Sequence, residues 1–203
     1  MTAVRHPVSG ASASRVGARE RVLAAAYELF SRRGTRDVGI DTIVRRSGVA
    51  KMSLYHHFHS KQDLVAAFLE RRERLWTVEW LKSEVYRRAR SPGKRLLAAL
   101  DLLSDWFRSE EFDGCPFIKV LLEYPPGHPS RRAAAQHIAN VREFLKELAA
   151  DAGIRNPALF ASTWQTMMKG AVVTACEGNL NAAREVKVAA GLYLRSCLPV
   201  GAH

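Results

Sequence analysis

Apolar residues along this chain recur at three- and four-residue intervals, the period of helices with one buried face. Over residues 18–33 the stripe is Val22, Ala25, Ala26, Leu29 and Phe30, and Gly34 stops it. Ile40, Ile43 and Val44 form one face of a short second helix that ends at Gly48, where a residue tolerant of positive φ is needed. Val49, Leu54 and Phe58 anchor a third helix across that turn. Ser60-Lys61-Gln62-Asp63 reads as a capping box opening a fourth. Its apolar face includes Leu64, Phe68 and Leu75 and its pattern runs to about Arg90. Later helices are expected from Pro92 (Leu96, Leu100, Leu103, Phe107), after Gly114-Cys115-Pro116 (Phe117, Val120), around Ile138–Leu148, from Asn156-Pro157 to Gly178, and over 182–197. No strand alternation appears. The pattern predicts an all-α protein of about nine helices.

The glycine at 48, set between Val44 and Leu54, matches the framework of a helix-turn-helix spanning about residues 41–60, in which two helices cross at close range. Between the apolar anchors of the second helix of that pair stand Lys51, Met52, Ser53, Tyr55, His56 and His57. These are donors and flat rings, suited to phosphates and base edges in a major groove. Thr42, in the first turn of the preceding helix, is placed to reach a phosphate. A three-helix DNA-binding head is therefore expected over 18–78, joined to a C-terminal bundle over 79–203. The long fourth helix would be their sole covalent link.

Charge strengthens this expectation. The net charge of +11 is uneven: residues 1–75 carry 14 Lys/Arg against 7 Asp/Glu, and residues 76–203 carry 17 against 13. The shorter segment thus holds most of the excess, which suits a polyanionic partner. No apolar run approaches the length of a membrane span. Met1–Gly17 is Ser/Gly/Ala-rich, without the apolar segment of a secretory signal, and predicts a disordered tail. The cysteines, Cys115, Cys176 and Cys197, are odd in number and widely spaced. They fit neither a disulfide framework nor a metal site and indicate a reducing cytoplasm. His56, His57 and His59 lack a Cys, Asp or Glu at ligand spacing, so no metal or cofactor is expected. No Gly-x-Ser-x-Gly elbow or phosphate-binding glycine loop supports an enzyme.

These residues resemble the TetR (tetracycline-repressor) family, densely over residues 18–70. The matching features are Phe30…Gly34, then Ile43-Val44…Ser47-Gly48-Val49, then Leu54-Tyr55-His56-His57-Phe58-His59-Ser60-Lys61. Departures fall at Gly39, where the family usually carries Ser or Thr, at Ala50 in place of a capping Ser, and at Met52 in place of Gly. The resemblance implies a bacterial transcription regulator bound to a double-stranded operator, with Lys61 and the first amides of its helix on the DNA backbone. Lys51, Tyr55, His57 and Lys61 would hold phosphates, while Met52, Ser53 and His56 would probe bases.

The resemblance also implies a homodimer formed by the last two helices and a small-molecule effector held in the body. Candidate interface residues are Thr163, Ala171, Val172, Ala175, Val186, Ala190 and Tyr193, with intrachain core as the equal alternative. Candidate pocket residues are Trp76, Trp80, Trp106, Cys115, Phe117, Leu121, Tyr124, Trp164, Met167 and Met168, which suit a hydrophobic ligand and equally suit plain core. Cys115 precedes Pro116, so an N-cap thiol sensing oxidants or electrophiles is a further alternative. A helical dimer that organises proteins rather than DNA is the rival from another class.

Overall fold

The computed structural model describes residues 17–199, so the tail expected over 1–17 lies outside it apart from Gly17. Every regular element among the described residues is helical. They are α1 (Ala18–Arg33), α2 (Ile40–Ser47), α3 (Lys51–His57), α4 (Lys61–Arg72), a π-helix (Glu73–Lys82), α5 (Ser83–Arg88), α6 (Pro92–Phe107), α7 (Pro116–Glu123), α8 (Pro129–Asp151), α9 (Pro157–Cys176) and α10 (Ala182–Cys197). Because α4, the π-helix and α5 run on without a break, nine helical rods result, as the apolar pattern predicts.

Local chemistry explains the ends. Prolines begin α6, α7, α8 and α9, where the missing N–H would have no intrahelical partner and φ is already helical. The Asn156 side chain accepts the Leu159 N–H at 3.2 Å to cap α9. Ser60 and Asp63 form a reciprocal capping box at α4. The helix that carries the Ile138–Leu148 stripe follows the break at 125–129 and starts at Pro129 itself, since a proline that breaks one helix can open the next. One feature departs from expectation. The rod from Lys61 is not uniformly α: residues 73–82 widen into a π-helix, a rare form found mostly as short bulges and often at functional sites.

The contacts divide the chain into two compact units: residues up to Leu75 with Cys115–His137, and Trp76–Gly114 with the chain from Ile138 onward. The chain therefore passes from one unit to the other three times, at 75/76, 114/115 and 137/138, and the long helix is not the sole link. In the first unit Val22, Ala26, Phe30, Ile43, Leu54, Leu64, Val65 and Phe68 are all nearly or fully removed from solvent. Phe68 meets the edges of Tyr27 and Phe30 at centroid distances of 5.6 and 5.5 Å. In the second unit α6 packs on α5, α9 and α10. Its Leu96, Ala99, Leu100, Leu102 and Leu103 are buried, and Asp101 pairs with Lys187 of α10 at 2.6 Å. Each large side chain so buried contributes about 1.5–3 kcal/mol.

Candidate nucleic-acid interface

α2 and α3 form the expected crossed pair. Gly48 takes the left-handed conformation (φ 62°, ψ 27°) and its N–H returns to the Val44 carbonyl. Ser47 Oγ donates to the same carbonyl at 3.1 Å and accepts the Val49 N–H at 3.4 Å, tightening the turn. Ile43, Val49, Leu54 and Phe58 are buried on the inner side. That leaves a defined outer ridge. Met52 is 81% exposed and Tyr55 38%; Lys51 and His56 are exposed, and Thr42, Ser53 and His57 are half-buried. The His56 and His57 rings meet edge to face at 5.3 Å. Seven of the eight residues offered for DNA contact thus lie on α2 and α3.

The eighth, Lys61, starts α4 and donates from Nζ to the Arg36 carbonyl at 3.2 Å. Partial burial pulls its ammonium below the usual lysine range, while Glu123 and Asp37 pull it back up. Two of its three N–H donors remain to meet a phosphate. Lys51 is held by Asp41 at 2.8 Å, and the hydrogen bond to that carboxylate keeps the ammonium above its usual range. Asp41 thus tempers the cationic ridge. Arg46 makes a comparable pair with Glu28 at 2.6 Å. The departures at Gly39 and Ala50 have a visible effect, because neither α2 nor α3 has a side-chain N-cap bond. A hydroxyl at either position would contribute about 1 kcal/mol.

Sequence reasoning missed one group of residues at this head. Thr35, Arg36 and Glu123 meet at the α1–α2 loop, and 88 positions separate Thr35 from Glu123. No local pattern signals such a contact.

The ten candidate pocket residues divide between the units. In the second, Trp76, Trp106, Trp164 and Met168 are buried while Trp80 and Met167 are half-buried. Trp76 contacts Trp80 and Trp106 with centroids 5.4 and 5.3 Å apart. In the first, Phe117 is buried and stacks on His137 at 5.3 Å. Cys115, Leu121 and Tyr124 are half-buried there. Cys115 does occupy the N-cap of α7, but its side chain makes no capping bond. An open groove of about 460 Å³ lies elsewhere, between the α8–α9 turn and the end of α10, lined by residues including Leu159, Phe160 and Tyr193. None of the ten candidates lines it.

Of the candidate interface residues, Ala171, Val172, Ala175 and Ala190 are buried inside their own chain, at 7% exposure or less. Small side chains let α9 and α10 approach closely, and the approach itself covers them. Thr163, Val186 and Tyr193 are half-buried. The apolar residues left facing outward on these helices are Leu159, Val173, Val188 and Leu192.

Comparison with known proteins agrees with this geometry. The model of bacterial regulatory proteins of the tetR family matches residues 22–68, which run from α1 into α4. The HTH-type transcriptional regulator YjdC of Escherichia coli is 24% identical over 156 residues, covering 75% of this chain and 80% of that protein. The HTH-type transcriptional activator FasR of Mycolicibacterium smegmatis is 37% identical over 95 residues, covering 45% of this chain and 41% of that protein. The crystal structure of a TetR-family regulator from Streptomyces coelicolor superposes with a TM-score of 0.79 at 26% identity, covering 89% of this chain and 95% of that one. The head matches in sequence and nearly the whole chain matches in fold, so this protein belongs to the TetR family and is a DNA-binding transcriptional regulator.

Proposed function

We propose that the protein is a homodimeric repressor that leaves a palindromic operator when a small hydrophobic molecule binds its body. The observation that carries the dimer is the outward apolar face of α9 and α10. Leu159, Val188 and Leu192 are 61%, 70% and 59% exposed there. A row of large aliphatic side chains on paired helices is costly to leave in water and suits a self-complementary two-fold contact. One recognition helix reads only a few base pairs, so two heads on inverted half-sites supply the specificity that one cannot. The buried Trp76–Trp106 cluster is the chemistry offered to an apolar effector, and a differential affinity of about 1–3 kcal/mol between the two states would suffice for release.

The relevant test is a fluorescence-anisotropy titration of a duplex carrying an inverted repeat against one carrying a single half-site, with dimer mass followed by sedimentation. Equal affinity for both duplexes would refute the paired-head reading. Within the ridge, Tyr55→Ala should weaken all duplexes alike and leave the salt dependence unchanged, because a neutral hydroxyl on a phosphate releases no counterion. Ser53→Ala should instead shift the preferred sequence, by about 1–3 kcal/mol at one base pair. Parallel behaviour of the two variants would show that the contacts are wrongly sorted.

Asp41→Asn should do the opposite of Tyr55→Ala. Freed from its carboxylate, Lys51 becomes available to phosphate, and affinity for random duplex at low salt should rise a few-fold, the modest gain expected of an exposed pair. An unchanged salt slope would mean that Lys51 does not face the backbone.

A further inference from the structure

Thr35 lies in the loop between α1 and α2 and is fully buried, yet its polar groups are answered from α7. The two oxygens of the Glu123 carboxylate accept the Thr35 backbone N–H at 3.1 and 2.9 Å, and one of them also accepts the Thr35 hydroxyl. The Tyr124 hydroxyl lies 3.0 Å from Thr35 Oγ1. Contacts on either side run the same way: Arg36 donates to the Glu123 carbonyl at 3.1 Å, and Lys119 donates to the Ser31 carbonyl at 2.9 Å. Gly34 completes the fit, because its φ of +79° requires glycine and any Cβ there would collide with Glu123 Oε1. From Arg36 the chain of contacts continues to Lys61 at the start of α4.

We infer that Glu123 is a positioning residue for operator reading. Its carboxylate fixes the α1–α2 loop against α7 and, through that loop, sets the entry of α2. Burial makes the contact consequential: without Glu123 the Thr35 N–H and hydroxyl lose an ionised acceptor where water is excluded. The loop would then have to open to find other partners, and α2 begins only a few residues beyond it, at Ile40. The inference rests on the DNA-binding role and adds to it a second route of control. A displacement of α7 acts on the reader directly, without passing along the rod that contains the π-helix.

Two variants test this, Glu123→Gln, which keeps the shape but replaces one acceptor oxygen by an amide donor, and Thr35→Val, which removes the hydroxyl it serves. The probes are a fluorescein-labelled duplex selected from random sequence by the wild-type protein, a scrambled duplex of the same length, and amide exchange at residues 34–36. Either variant should weaken the selected duplex about tenfold and leave the scrambled one within about twofold, since only specific binding needs the register. The double variant should be no worse than the worse single one, because both break one contact. Exchange at Thr35 should quicken about tenfold in Glu123→Gln while the melting temperature stays close to wild type. Unchanged affinity for the selected duplex, equal weakening on both duplexes, or additive effects would overturn the inference. Should the wild type select no duplex, the DNA-binding role itself would fail, and the exchange rates would still decide whether Glu123 holds the loop.

Discussion

Val188→Glu should separate the proposed dimer and lower operator affinity on the order of a thousandfold, because two linked half-site contacts would become two independent ones. The residue is well placed for such an effect. It is 70% exposed, and Leu192 stands one turn further along α10 at 59%. Glutamate at Val188 therefore costs the isolated subunit little. In a two-fold contact each substituted residue would oppose its own copy or a near neighbour, burying like charges that have no partner. Sedimentation velocity at micromolar protein should show a monomer with an unchanged helical circular-dichroism spectrum. Binding to a single half-site should be nearly unaffected, which separates lost pairing from a damaged reader. A persistent dimer would move the interface to another face.

Phe68→Ala should destabilise the DNA-reading unit by about 3–5 kcal/mol, the cost of a large cavity where rings interlock. Phe68 is wholly buried and is the ring that both Tyr27 and Phe30 meet edge-on. It thereby joins α1 to α4 and supports the base on which α2 and α3 sit. Urea unfolding followed by circular dichroism should show the loss as a lower midpoint. Operator binding should fall at temperatures where the wild type is intact. A change under about 1 kcal/mol would mean that this core is more adaptable than its packing implies.

Much of the reader was legible because its signals are local. Gly48 between Val44 and Leu54, the apolar spacing on either side, and the Ser60–Asp63 box all act within a few residues, and each appears as expected. Prolines at 92, 116 and 157 marked true helix starts for the same reason. The α9–α10 pair was harder. Periodicity reveals that a helix has an apolar face but not whether its own chain or another covers it. Ala171, Ala175 and Ala190 lie inside, and the bulkier Val188 and Leu192 outside. The π-helix at 73–82 left no mark in the spacing of Leu64, Phe68 and Leu75, because widening begins beyond most of that stripe. The Glu123–Thr35 contact was invisible from sequence because it joins residues 88 apart.

The three crossings between units bear on how such regulators can be recombined. A fragment cut after the helix-turn-helix, near residue 78, would leave behind Cys115–His137, a segment that belongs to the same compact unit. It would also forfeit the acceptor for Thr35 and the His137 ring, whose Nδ1 lies 2.6 Å from the Glu73 carboxylate. Chimaeras that graft this head onto a foreign sensor should therefore transplant α7 and the start of α8 along with it. A single splice point is the wrong unit of exchange for this chain.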